Sequence, residues 1–352
     1  MKLSSTAAES DALELLVRAV DTSLFPVAIL RLHTLFKIYA DTCPVPLPGP
    51  GLIVTPEIRN QCQCYLPVDE VAAAFYCLYR SALTYPPVLS STPFHKALSW
   101  ADVFVTLPPN IQFSANPARL LEALLADRTL LTEFLFASFL PSRFYKGFGR
   151  YPGQRECIRR WLTERSLSTV FCLDTACGTG EGTYDLALML SDLGFSPEEI
   201  HIDGWTLDPL EVWAAATRRF PHDRQREMEL RKATSPFLEK GYIRRIMFNC
   251  RDILRPTSPS TFTEDGEMRR YDIILCNGLL GGPILHEKVQ LELVAGNLAQ
   301  MLAPNGILLA ADSFHGGWKQ KCPQSELWAL FEKNCLKAFE AGEGIGGLKS
   351  DQ

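Results

Sequence analysis

Asp174-Thr-Ala-Cys-Gly-Thr-Gly-Glu-Gly-Thr-Tyr184 closes a short apolar run and opens a segment with helical spacing. Gly178 and Gly180 let a backbone turn tightly and approach a ligand, and the amino terminus of the helix behind them offers N–H groups to it. This is chemistry for holding a nucleotide-like molecule against main chain; a tight turn that binds nothing is the plain alternative. Thirty residues beyond Gly178, a second apolar run ends in Gly204-Trp-Thr-Leu-Asp-Pro209. A carboxylate at such a strand end can accept from both hydroxyls of a ribose, which makes Asp208 the candidate. Asp208 followed by Pro209 also reads as a helix N-cap with proline at the first helical position.

Two histidines could take a proton from a hydroxyl or amine: His315 in Ser313-Phe-His-Gly-Gly-Trp318, directly after a strand-like run, and His286, which begins the helical segment after Gly281-Gly-Pro283. A lone loop histidine is more often simply exposed. The eleven cysteines are scattered, odd in number and never spaced as CxxC, so they predict reduced thiols and no metal site.

The elements that must carry these groups follow from periodicity. Short β-branched runs at 170–175, 202–207, 246–250, 271–276 and 306–311 alternate with helical segments at 181–193, 210–220, 286–303 and 324–340. That alternation predicts an α/β fold, a doubly wound, Rossmann-like parallel sheet with its crevice at the carboxyl ends of the strands. Residues 1–165 instead show long apolar stretches with helical spacing (29–39, 71–83, 120–139), punctuated by prolines, and predict a mainly helical domain. The expected division is a helical substrate or lid domain over 1–165, a catalytic domain over 166–340, and a glycine-rich tail over 341–352.

With 352 residues, 47% hydrophobic and 21% charged, the chain can bury a large core, which excludes disorder for its bulk. A formal charge of −5 supplies no long-range attraction to nucleic acid or an anionic membrane. No apolar run reaches membrane-spanning length, so a soluble, cytoplasmic protein without nucleic-acid or membrane partners is expected. An oligomer is compatible with all of this.

Taken in order, Asp174 to Gly180, Asp208, Asp252 in Asn249-Cys-Arg-Asp-Ile-Leu254, Tyr271-Asp-Ile-Ile-Leu-Cys-Asn277 and Leu302-Ala-Pro-Asn-Gly-Ile-Leu308 resemble the motifs of class I S-adenosylmethionine-dependent methyltransferases. Ala176 to Tyr184 is most similar to the ACSTGEEPYS stretch of the chemotaxis-receptor glutamate methyltransferases, which also carry a helical amino-terminal domain. The chain departs from that closer family in three places. Cys276-Asn-Gly-Leu279 lacks its arginine, Thr206-Leu-Asp208 displaces its ribose acid, and nothing between 220 and 246 is long enough for its receptor-docking β-subdomain. The family fold ends in a strand hairpin, whereas one helix and a glycine-rich tail are expected here.

The resemblance implies S-adenosyl-L-methionine as cofactor, S-adenosyl-L-homocysteine as product, and methyl transfer to a small-molecule or carboxyl acceptor. It implies that Asp174, Ala176, Gly178 and Gly180 meet the methionine end, Asp208 and Pro209 the ribose, and Asp252 and Ile253 the adenine. Asn277 would face the sulfonium and the nucleophile. In Ser142-Arg-Phe-Tyr-Lys-Gly-Phe-Gly-Arg-Tyr-Pro-Gly153, Arg143 and Arg150 could neutralise a substrate carboxylate and Tyr145 could flank the methyl group. Tyr145, Arg150, Asn277 and His315 are thus the catalytic candidates, and interdomain packing is the alternative for the arginines. Competing functions are methylation of a protein or peptide glutamyl side chain, a non-catalytic cofactor-binding partner subunit, and an NAD-dependent oxidoreductase. The last wants its acid about 20 residues after the glycines, closer than Asp208 lies.

Overall fold

The structure, a computed structural model, describes residues 1–4, 13–140, 147–165, 167–255, 269–282, 285–311 and 322–351. The chain forms two compact units, one of Met1–Ala8, Arg143–Arg219 and Glu227–Gln352, the other of Glu9–Ser142 and Phe220–Arg226. The stretch from 147 and the first residues of the chain thus fall in the unit that holds the sheet, where the sequence expectation divided the chain at 165.

The second unit is helical: α1 (Pro26–Thr42), α2 (Pro56–Tyr65), α3 (Val68–Ala82), α4 (Trp100–Thr106), α5 (Pro117–Ala126) and α6 (Arg128–Phe139). Proline opens α1, α2 and α5, where its missing N–H costs nothing. The apolar stretch 120–139 is two helices because Asp127 turns its side chain back to accept from the N–H groups of Thr129 and Leu130, capping α6. The core is aromatic. Phe75 stacks on Phe94 and Trp100, and the buried Tyr79 stacks on Phe134 while its hydroxyl donates to Ser138 Oγ at 2.9 Å.

The first unit holds an eight-stranded sheet: β1 (Lys2–Ser4), β2 (Val170–Asp174), β3 (Ile200–Thr206), β4 (Ile246–Cys250), β5 (Tyr271–Leu275), β6 (Leu302–Ala311), β7 (Leu336–Ala341) and β8 (Gly344–Lys349), in the order β1-β4-β3-β2-β5-β6-β8-β7. Strands β2 to β6 run parallel, while β1, β7 and β8 pair antiparallel with their neighbours. Helices α7 (Pro152–Thr163), α8 (Glu181–Asp192), α9 (Pro209–Thr217), α10 (Arg224–Leu238), α11 (Lys288–Met301) and α12 (Gln324–Lys333) are interleaved along the chain. The parallel strands take the doubly wound order 3-2-1-4-5, whose switch point lies between the carboxyl ends of β2 and β5.

Two sequence expectations fail here. The helix expected over 324–340 stops at Lys333, and the glycine-rich tail is β8, inserted between β6 and β7. A Cβ on Gly344 would overlap the Ala310 carbonyl oxygen, and one on Gly346 would overlap the Phe339 ring. These glycines permit close packing; they do not mark a loose end. Gly344→Ala is accordingly expected to destabilise the protein by about 3 kcal/mol, the upper range of core overpacking, as measured by denaturant unfolding. Helix α10 is an addition to the expected elements, its run of charged residues masking the face that carries Leu230, Thr234 and Phe237.

Candidate functional site

Strand β2 ends on Asp174, which is only 4% exposed. Its carboxylate accepts from Thr183 Oγ1 at 2.8 Å and from the Ala176 N–H at 3.4 Å. Burial pushes its pKa up to about 6, against the pull of those hydrogen bonds. The chain then turns through Gly178 and Gly180, at φ +52° and +89°, and Gly180 caps α8 without a side chain. The Cys177 N–H donates to Trp205 O at 3.0 Å, tying the turn to β3. Glu181, buried in the first turn of α8, accepts from Thr179 Oγ1 at 2.7 Å.

At the end of β3, Asp208 Oδ1 accepts from the Leu210 N–H at 2.8 Å, so the residue does cap α9 behind Pro209. Burial first, and the nearby Glu211 charge second, push the Asp208 carboxyl up to about 7. Thr206, standing where a strand-end acid was sought, donates its hydroxyl to Glu211. Glu211 was missed by sequence reasoning, and its signal was an acid one helical turn beyond a threonine-ended strand. Its charge also reaches Cys177, whose thiol is raised well above normal by burial, then by Asp174, Glu211 and Glu181.

At the end of β4, Asp252 Oδ1 accepts from the Leu254 N–H at 2.9 Å, forming a local turn. Ile253 is a core residue, packed in the cluster that includes Leu173, Trp205 and Leu298, and its carbonyl accepts from Asn297 Nδ2 at 2.9 Å. Of the two residues expected at the adenine edge, Ile253 thus turns its side chain into the core and Asp252 lies in the turn beside it. Arg251 instead covers the neighbouring surface, its guanidinium 4.9 Å from the Trp205 ring centroid.

Asn277, beyond β5, is tied inward. Its Oδ1 accepts from the Ala311 N–H and from Gln154 Nε2, each at 2.9 Å, while its Nδ2 donates to Gln154 Oε1 at 2.8 Å. Its amide braces β5, β6 and α7 at the mouth of β5, the position from which the sequence expectation had it face the sulfonium and the nucleophile. The segment entering α7 lies against the first turns of α8: Gly149 N–H donates to Asp185 Oδ2 at 3.3 Å, and Arg155 to Asp185 Oδ1 at 2.9 Å. Between these contacts the Arg150 guanidinium lies 5.3 Å from the centroid of the Tyr151 ring. Arg143, Tyr145 and His315 fall outside the described residues. His286 Nε2 lies 3.3 Å from Glu287 Oε1.

A small cleft beside these strand ends is lined by Cys276, Ala310, Leu327 and Ile345. All eleven cysteines are free thiols, and among the described residues no group of histidine, cysteine and acid side chains could hold a metal ion. The ends of β2, β3 and β4 thus bring together a glycine turn, a buried carboxylate and an acid pair, a set able to hold a polar ligand that carries hydroxyls.

No protein-family model and no curated protein matches the chain. Solved structures that it resembles include the [4+2]-cyclase SpnF, at 18% identity and TM-score 0.33 over 53% of this chain and 58% of the cyclase. The chain thus spans little more than half of that protein. Magnesium protoporphyrin IX methyltransferase (ChlM) from Synechocystis PCC 6803 with bound SAM aligns at 13% identity and TM-score 0.39, over 64% of this chain and 98% of that one. The N-methyltransferase NodS from Bradyrhizobium japonicum WM9, in complex with S-adenosyl-L-homocysteine, aligns at 17% and 0.37, over 64% and 100%. Likeness of this order carries no statement about activity.

Proposed function

We propose that the chain is a class I S-adenosylmethionine-dependent methyltransferase acting on a small-molecule or carboxyl acceptor. The observation that carries the reading is the glycine turn after β2, beside the switch point, with the buried Asp174 behind it and Asp208 at the neighbouring strand end. The motif order from Asp174 to Leu308 supports the same assignment. When bound, the cofactor supplies an electrophilic methyl group on a sulfonium, so the protein's work is placement and exclusion of water.

In this reading Asp174 and the backbone of Ala176, Gly178 and Gly180 hold the methionine end. Asp208 and Pro209, with Glu211 beside them, hold the ribose, and Asp252 meets the adenine edge. Arg150 pairs with an acidic acceptor. A carboxylate acceptor is already ionised at neutral pH and needs no base.

Calorimetry with S-adenosyl-L-homocysteine tests this, with NAD(H) as the competing ligand. The wild type is expected to bind the former and ignore the latter. Asp208→Ala should bind it about 10- to 150-fold more weakly, the effect of leaving a ribose hydroxyl without its charged partner. Binding of NAD(H) alone would overturn the assignment.

A further inference from the structure

Helix α7 has no capping side chain of its own: Tyr151 at its N-cap makes no such bond. The cap comes from the far end of the chain. Glu343, in the turn between β7 and β8, accepts from the Gly153 N–H at 2.8 Å with Oε1 and from the Gln154 N–H at 2.9 Å with Oε2. One carboxylate thereby satisfies two of the orphan donors at a helix start, where a negative charge is also favoured by the helix dipole. The two backbones meet so closely that a Cβ on Gly342 would overlap Gly153. The next side chain along, Gln154, is 3% exposed and forms the reciprocal amide pair with Asn277, which also accepts from Ala311 N–H.

The same strap, residues 147–155, is also anchored by Asp185, through Gly149 near its start and Arg155 at its end, and Gly147 faces the Glu181 side chain just behind the glycine turn. Its anchors therefore straddle the switch point: α8 and the turn after β2 on one side, the ends of β5 and β6 and the terminal hairpin on the other. Arg150 and Tyr151 sit between them.

We infer that Glu343 is a positioning residue, a clasp by which the terminal hairpin holds the 147–155 strap, and with it Arg150 and Tyr151, over the methyl-donor site. The inference rests on the cofactor reading above and adds a residue 190 positions from the strap in sequence. The strap's contacts with Glu181 and Asp185 make its placement and that of the glycine turn mutually dependent. Loosening it should therefore be felt as weaker ligand binding.

The test pairs hydrogen exchange of the 147–155 amides with S-adenosyl-L-homocysteine calorimetry in the full chain. E343A is expected to speed exchange at 153–156 and weaken binding, each about ten-fold, the size of a lost helix cap. E343D should recover part of both. E340A, at an exposed position in the same hairpin, should change neither, which separates the clasp from general loosening of the hairpin. Should E343A fail to fold, E343Q keeps one acceptor oxygen and is expected to give an intermediate effect. Unchanged exchange in E343A and E343Q overturns the clasp, and faster exchange at undiminished affinity overturns its link to the donor site. A wild type that binds no S-adenosyl-L-homocysteine would instead sink the cofactor reading, while the exchange arm still decides whether Glu343 holds the strap.

Discussion

Gly180→Val is expected to reduce S-adenosyl-L-homocysteine binding by at least about 100-fold. Gly180 sits at φ +89°, a conformation that costs a side-chain-bearing residue roughly 1–2 kcal/mol, more when β-branched. Its Cβ would stand 3.0 Å from Ala215 Cβ and 3.1 Å from the Phe248 ring, both fully buried. Neither neighbour can retreat without opening the packing between α9 and β4, so the turn itself must move. A shift of this kind removes the aligned backbone groups that face the ligand. Calorimetry beside thermal unfolding separates the two effects: the variant should still unfold cooperatively while binding is lost. Affinity within three-fold of wild type would show that the turn does not line the site.

The second large effect is expected at Asp174, where Asn should stabilise the fold and harm the site. The native pKa of about 6 lies above the ordinary aspartate value of 3.8, so the folded protein holds this proton more tightly than the unfolded chain. Ionisation of Asp174 therefore opposes folding, with a cost that grows as pH rises from about 4 to about 6 and stays at its full value above that. At roughly 1.4 kcal/mol for each tenfold change in proton affinity, that cost reaches about 3 kcal/mol. Asparagine keeps an acceptor for Thr183 Oγ1 and removes the charge. In denaturant unfolding, Asp174→Asn should gain about 2–3 kcal/mol over wild type at pH 7.5 and little at pH 4, while cofactor affinity falls. A stability difference independent of pH would refute the charged, buried carboxylate. A gain in stability accompanied by a loss of binding is the usual signature of a functional group.

The central strands and the glycine turn were legible because both signals are local. Apolar runs such as 271–276 carry their own strand preference, and Gly178 and Gly180 mark a turn wherever they stand between strand and helix. Asp208 illustrates a residue with two sequence readings: the structure shows its cap on α9, and its place just beyond β3 leaves it available for the proposed ribose contact. What could not be read depends on contacts between distant residues. Glycines 342, 344 and 346 look like a loose tail until Gly153, Ala310 and Phe339 are placed against them. The Asn277 amide pairs with Gln154, 123 positions away, a contact that no local pattern announces. Glu211 acquires meaning only through the Thr206 hydroxyl.

The most direct measurement of the cofactor assignment is a crystal structure grown with S-adenosyl-L-homocysteine at a concentration that calorimetry shows to be saturating. The ligand's sulfur is predicted to lie at the switch point between β2 and β5, its amino acid end against Asp174 and Gly178 and its ribose hydroxyls within hydrogen-bonding reach of Asp208 or Glu211. Density for the ligand anywhere else, with the ends of β2 to β4 left vacant, would contradict the account.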